Sequence, residues 1–462
     1  MRQSWFGWVI FLCVIIGMMG ATRASAEVKK PNIVIIFIDD LGYGGIEPFG
    51  STRNKTPHLN RMAEEGLKMT SFYSTSPVCT PSRASLMTGS YPRRVSLDTG
   101  SWAGVLFPKD SHGLNPDEIT IAEVLKDVGY ATGCFGKWHL GDQPEFLPTA
   151  QGFDTYFGIP YSNDMWPLHG PSKSWKVKPC PLPVMRDTEV LDIVKNMDDQ
   201  ALLAKRFTDE AVAFMKTNKD KPFFVYLPHA FVHFPHKASE PFMKQAEGNA
   251  RRAQVEEVDW SVGEILKTVR ELGIEEKTLV VFTSDNGGAQ GFLSKPFRGG
   301  KGNTWEGGMR EPTIAWWPGT IPAGSETDEV ASTMDLLPTA AALSGGTVPD
   351  DRVIDGKDIS ALLKSPKTAT SPHEAFFYYS RSRLEAVRMG VWKLRRGKLY
   401  HLKDDIAERR DVRSEHPEVA KRLEKRMAAF RAELDDPKNR RPVGKVENPK
   451  YLVPLEGSDP AD

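Results

Sequence analysis

With 462 residues, of which 40% are hydrophobic and 26% charged, the chain has the composition of a globular protein, which excludes a fibre or a low-complexity polymer. Its 60 lysines and arginines balance 60 aspartates and glutamates, an even charge that argues against nucleic acid as a partner. The length is ample for one large core and a smaller appended domain.

At the N-terminus Arg2 precedes an apolar run from Trp5 to about Met19, and Ala24-Ser25-Ala26 supplies the small residues of a cleavage site. Residues 1–26 therefore read as a signal peptide, with an uncleaved anchor as the alternative because the run is slightly long. A secreted or periplasmic protein without stable membrane association after cleavage is expected. Cleavage removes Arg2 and Arg23 and no acid, so the mature chain is slightly acidic. It also removes Cys13, leaving Cys79, Cys134 and Cys180. If Cys79 serves chemistry, the other two either pair or stay free.

Residues 32–38, Asn-Ile-Val-Ile-Ile-Phe-Ile, form a continuous β-branched run suited to a strand buried on both faces. Helix-like and strand-like segments then alternate. Helices are expected at 57–66 and 117–128, followed by strands near 67–72 and 130–135; further helices at 201–216 and 255–272 precede strands at 223–227 and 279–283. This alternation predicts a mostly parallel sheet flanked by helices. The stretch 160–200 reads as loop-rich, in a place where long loops shape substrate pockets. After about residue 345 four short strands are expected, at 374–379, 385–389, 392–395 and 398–402, and then a helix at 417–434. Val419, Leu423, Met427, Phe430 and Leu434 share one face of that helix. The expected organisation is a catalytic domain over 27–345 and a smaller C-terminal domain and tail over 346–462, built on a small antiparallel sheet with a helix.

Asp39 and Asp40 close the first buried strand, and Asp285 and Asn286 follow the strand at 279–283. In an open parallel sheet the carboxyl ends converge on one crevice. Four oxygen donors there suit a hard cation, calcium or magnesium, while either pair alone is as well explained by a turn. Lys137 and His139 fall on one face if the extended geometry continues. His229, His233 and His236 cluster just after the strand at 223–227, without the spacing of a helical zinc site. A glycine-rich segment, Arg298-Gly-Gly-Lys301-Gly-Asn-Thr-Trp-Glu306-Gly-Gly-Met-Arg310, presents Lys301 but lacks the spacing of a phosphate-binding P-loop. Arg298 is either an anion contact or a structural ion-pair partner.

The pentapeptide Cys79-Thr80-Pro81-Ser82-Arg83, running on into Ala84-Ser85-Leu86-Met87-Thr88-Gly89, resembles the signature of the type I sulfatases. The separated motifs above match that family in order, over nearly all the chain from about Pro31. Phe146-Leu-Pro-Thr-Ala-Gln-Gly-Phe-Asp-Thr-Tyr-Phe-Gly-Ile-Pro-Tyr-Ser162-Asn163-Asp164 looks like the arylsulfatase A branch. Leu399-Tyr-His-Leu-Lys-Asp-Asp405 resembles a family segment as well, except that Ile406 and Asp411 replace a common proline and asparagine.

The resemblance implies an alkaline-phosphatase-like fold and a sulfuric ester hydrolase acting on aryl sulfate or sulfated carbohydrate. A formylglycine-generating or other sulfatase-maturing enzyme would convert Cys79 to formylglycine. Asp39, Asp40, Asp285 and Asn286, with residue 79, would hold calcium. Arg83, Lys137, His139, His233 and Lys301 match the remaining catalytic positions, and Ser162, His229 and Arg298 are expected at the substrate. One hydroxyl of the hydrated aldehyde would attack sulfur while His233, with Lys301, protonates the leaving oxygen; His139 would then draw a proton from the second hydroxyl and release sulfate. The alternatives are a phosphonate or phosphate monoester hydrolase of the same superfamily, and a catalytically silent secreted binding protein.

Overall fold

A computed structural model describes Met1 and residues 30–98, 104–166, 180–289 and 294–454. The expected signal segment otherwise lies outside the described residues. No helix among those described is long and apolar enough to cross a membrane.

The first strand, β1 (Asn32–Ile38), is buried along its whole length. Its side chains alternate: Val34, Ile36 and Ile38 join one core, and Ile33, Ile35 and Phe37 join the other. The apolar run is continuous because both faces are covered. Eight further strands make up most of the sheet: β2 (Leu67–Tyr73), β3 (Ala131–Lys137), β4 (Thr155–Ile159), β5 (Leu182–Arg186), β6 (Glu189–Val194), β7 (Phe223–Pro228), β8 (Thr278–Ser284) and β9 (Arg310–Trp316). Their order is β2-β9-β8-β1-β7-β3-β4-β5-β6, with short strands Ser325–Thr327 and Ala331–Ser332 pairing with β2. The five central strands β8, β1, β7, β3 and β4 run parallel, so their carboxyl ends share one edge.

Helices α1 (Pro57–Glu65), α3 (Leu203–Thr217) and α4 (Ala250–Glu271) cover one face through Leu59, Phe207 and Val262. The other face is covered by α2 (Cys79–Thr88), Ile121–Asp127 and Leu336–Ser344, through Leu86, Ile121 and Leu337. The helix expected from 117 begins only at Ile121, because Thr120 and Glu123 form a capping box there.

Two elements depart from the sequence expectation. Within the stretch read as loop-rich, β5 and β6 form an antiparallel hairpin that extends the sheet edge. Its turn places Asp187 at φ 54, a left-handed conformation that aspartate tolerates better than most residues. Beyond the Lys301 segment, β9 inserts antiparallel between β8 and β2.

The C-terminal strands β10 (Phe376–Ser380), β11 (Arg383–Met389), β12 (Trp392–Arg395) and β13 (Lys398–His401) form an antiparallel meander. Helix α5 (Pro417–Asp435) buries Leu423, Phe430 and Leu434 against it, and Phe430 stacks on Phe377 at 3.8 Å. The same core takes in Tyr73, Tyr91 and Met309 from the larger part of the chain. Cys79, Cys134 and Cys180 are buried and unpaired, so the two cysteines left open by sequence stay free.

Candidate active site

Cys79 opens α2, and burial pushes its thiol pKa well up. Its Sγ lies 3.5 Å from Asp39 Oδ1 and 3.4 Å from Lys301 Nζ. Asp39 and Asp40 leave β1 at the shared carboxyl edge, where Asp40 turns into a left-handed φ of 61. That conformation lets the Asp40 amide donate to Asp285 Oδ1 at 3.2 Å, tying the end of β1 to the end of β8. Asn286 Nδ2 donates to Asp40 Oδ1 at 2.7 Å. A strained conformation of this kind persists because surrounding contacts impose it.

Positive charge interleaves these acids. Arg83 is fully buried; it donates to the Lys137 carbonyl at 2.8 Å and to Asp285 Oδ2 at 2.8 Å, and lies over the Phe37 ring. Lys137 Nζ contacts Asp39 and donates to Ser162 Oγ at 3.1 Å. Lys301 pairs with Asp40 at 2.7 Å. Burial alone would raise the Asp39 pKa, but Lys137, with His233, Arg83 and Lys301, holds it well below the ordinary range. Lys301 is driven the other way: burial would lower its pKa, but Asp40, Cys79, Asp39 and Asp285 together outweigh burial and lift it.

The chain turns immediately after β3, so the extended geometry expected through His139 does not continue: His139 adopts φ 61. Its Nε2 lies 3.0 Å from the Leu106 carbonyl, which makes Nε2 the protonated nitrogen. Nδ1 is buried with no hydrogen-bond partner. Burial, then Lys137 and Arg83, push the pKa of this imidazole well down, so it stays neutral. The Leu106 carbonyl and the Thr80 hydroxyl, which donates to the His139 carbonyl at 3.0 Å, fix this residue. Neither had a sequence signal, because a carbonyl belongs to every residue type and a lone threonine to many turns.

His233 faces the cluster. Nδ1 lies 2.6 Å from the Phe234 carbonyl, and Nε2 lies 3.6 Å from Asp40. His229 does not join it: its Nε2 meets Ser261 of α4 at 2.9 Å, and burial pushes its pKa down to about 3. Arg298 is also engaged elsewhere, stacked over Trp305 at 3.9 Å and donating to the Glu408 carbonyl at 3.1 Å. Of the three expected substrate contacts, only Ser162 stands beside a lysine of the cluster.

The donor set fits a hard cation. Four side chains with oxygen donors meet beside residue 79: Asp39 and Asp40 bring ligand atoms within 4.8 Å of Cys79 Sγ and of His233, and Asp285 and Asn286 adjoin Asp40. Asn286 Oδ1 is buried without a hydrogen-bond partner. Burial and the neighbouring Asp39 push Asp285 up to about 7, the mark of carboxylates crowded beyond what Arg83 and Lys137 neutralise. A divalent ion would relieve that repulsion.

Comparison with known proteins gives concordant findings. The family model described as Sulfatase matches residues 31–346. Human arylsulfatase A is 40% identical over 397 residues, covering 82% of this chain and 76% of that protein. Canine N-acetylgalactosamine-6-sulfatase is 38% identical over 404 residues, covering 84% and 75%. The crystal structure of Ps i-CgsB in complex with k-i-k-neocarrahexaose superposes with a TM-score of 0.76 at 29% identity, covering 87% of this chain and 93% of that one.

Proposed function

The chain belongs to the sulfatase family and is a sulfuric ester hydrolase, and from that premise we propose that residue 79, matured from cysteine to formylglycine, is its nucleophile beside a calcium ion. The observation that carries this reading is the buried Cys79 Sγ wedged between Asp39 at 3.5 Å and Lys301 at 3.4 Å, at the carboxyl edge of the parallel strands. Asp39, Asp40, Asp285 and Asn286 would hold the cation, which when bound supplies positive charge for the sulfate oxygens and polarises the nucleophile. Formylglycine supplies, as its hydrate, two hydroxyls on one carbon, so that one can attack and the other can later be deprotonated.

The side chains divide the remaining work. Lys137, Lys301 and Arg83 neutralise the sulfate in a largely buried pocket, where fixed charges act more strongly than in solvent. Ser162, bonded to Lys137, is a further donor for a sulfate oxygen. His233 keeps its Nδ1 hydrogen on the Phe234 carbonyl and presents Nε2 as the atom that protonates the leaving oxygen. His139, neutral and held at Nε2 by Leu106, keeps Nδ1 as the free acceptor for the proton of the second hydroxyl. His229 and Arg298 are assigned to holding the fold rather than the substrate.

The substrate class that the relatives favour is a sulfated carbohydrate, and a secreted or periplasmic location after removal of residues 1–26 fits such a substrate. Two measurements test the reading. The mass of the peptide containing residue 79, from protein of its own host, should fall short of the cysteine form by about 18 Da, apart from any ordinary sulfur oxidation. Matched aryl sulfate, phosphate and phosphonate esters should then be hydrolysed with the sulfate preferred. An unmodified, exported Cys79 or a preference for phosphonate overturns it.

A further inference from the structure

Lys301 rides on a segment, 298–310, that contains five glycines and so has few side chains of its own with which to fix its conformation. Near the pocket its backbone is tied twice, by the Gly302 amide to the Pro77 carbonyl at 2.8 Å and the Lys301 amide to the Gly288 carbonyl at 3.1 Å. Farther along, the Gly287 amide holds the Gly308 carbonyl at 3.0 Å and the Tyr73 hydroxyl holds Glu306, and between these ties the C-terminal sheet supplies further anchorage. Lys393 of β12 is fully buried, and its ammonium meets the Thr304 carbonyl at 2.9 Å, Glu306 Oε1 at 2.8 Å and Glu408 Oε1 at 2.9 Å. Two of its three hydrogens are hydrogen-bonded, to Thr304 and Glu306, and the third contact, with Glu408, is an ion pair alone. Both hydrogen-bond acceptors belong to the glycine-rich segment.

Neighbours reinforce the grip. Thr304 Oγ1 donates to Glu385 at 2.8 Å and accepts from Arg395 Nε at 2.9 Å. The Glu306 amide donates to Glu408 Oε2 at 2.7 Å. Only two residues separate Lys301 from Thr304, so whatever fixes the Thr304 carbonyl restricts where the Lys301 ammonium can lie.

We propose that Lys393 is a positioning residue for Lys301: the C-terminal sheet reaches across to hold the catalytic loop in register with Asp40 and Cys79. This rests on the reading of Lys301 as a sulfate-neutralising group. Without the Lys393 charge, Glu306 and Glu408 face each other with their shared counter-ion gone, and without its hydrogen bond the Thr304 carbonyl is free to swing. A displacement of about 1 Å at a catalytic group costs on the order of 100-fold in rate.

The test is a mutant cycle on the matured, full-length enzyme with an aryl sulfate, using Lys393→Met, Lys301→Ala and the double mutant, together with amide exchange of segment 298–310. Lys393→Met should lower kcat by about 10- to 100-fold with a smaller change in KM, and should speed exchange in the segment. Added to Lys301→Ala it should cost less than about threefold more, since two changes acting through one group are not additive. Lys393→Met with Glu408→Gln removes one charge of each sign; its thermal midpoint should recover while kcat stays low. Equal losses of kcat in both Lys301 backgrounds, unchanged exchange, or kcat that recovers along with the midpoint overturns the proposal. If Lys301→Ala alone leaves kcat unchanged, the assignment of Lys301 fails by itself, and the exchange data still decide whether Lys393 holds the loop.

Discussion

Two buried clusters of ionised side chains among the described residues, one at the carboxyl edge of the parallel strands and one beneath the C-terminal sheet, differ in how fully their members are satisfied. In the second, every oxygen of Glu306 is engaged: Oε1 by Tyr378 at 2.9 Å and Lys393 at 2.8 Å, Oε2 by Tyr73 at 2.5 Å and Arg310 at 3.4 Å. Burial alone would raise the Glu306 pKa, but Lys393, Arg310 and Arg388 hold it at about 2. In the first cluster Asp285 is pushed up to about 7, His139 Nδ1 and Asn286 Oδ1 lack partners, and both Asp40 and His139 take left-handed backbone conformations. The second cluster keeps one open oxygen and one left-handed residue, both at Glu408, so the difference is one of degree: the more completely satisfied cluster stabilises the fold, whereas the one with several open lone pairs is arranged for something that arrives later.

That contrast separates the expected effects of mutation. Cys79→Ser should reduce steady-state aryl sulfate hydrolysis on the order of 10⁴-fold or more, with a sulfated protein detectable by mass, because serine has a single hydroxyl. Its thermal midpoint should stay near wild type; undiminished hydrolysis would contradict the role given to residue 79. Glu306→Leu should act first on stability, costing about 3–5 kcal/mol in denaturant unfolding because Lys393 and its neighbours lose their buried counter-charge. A loss below about 1 kcal/mol would show that the second cluster is not structural.

Chelation should act on the first cluster. Removing divalent cations should abolish activity and lower stability by about 2.7 kcal/mol relative to a hundredfold excess of calcium over its dissociation constant, restored on adding calcium back. Activity indifferent to exhaustive chelation would remove the cation from the site.

The smallest expected effect lies outside both clusters, at His373, which meets Asp335 at 2.7 and 2.9 Å. Burial alone would lower its pKa, but the Asp335 carboxylate outweighs burial and raises it. A raised folded pKa means that the native state holds this proton more tightly than the unfolded chain. The contribution is therefore complete below the ordinary histidine value of about 6.5 and fades as pH rises through the higher folded value. His373→Gln should flatten the fall in stability above about pH 6.5, measured by denaturant titration across pH; an unaltered slope would refute it.

Much of the first cluster was legible in the chain. The run 32–38 ends in two aspartates, a second β-branched run ends in Asp285 and Asn286, and parallel strands bring such ends together. The Cys79 pentapeptide, Lys137 and Lys301 carry chemistry in their residue types. Less legible were His229 and Arg298, whose residue types fit a pocket but whose partners, Ser261 and the Trp305 ring with the Glu408 carbonyl, stand in distant or unmarked positions. The hairpin of β5 and β6 was hidden because Pro183 and the exposed Glu189, Val190 and Leu191 break the alternation of a half-buried strand.

By itself, the sequence determined the periodicity of the buried strands, the order of the reactive motifs and the type of each reactive group, since these depend on residues close together in the chain. Only the tertiary structure decided which charges meet. Lys393 and Glu306 are 87 positions apart, and Arg83 and Asp285 are 202 apart. Whether a buried ion is satisfied or left poised depends on such long-range neighbours, and local pattern carries no information about them.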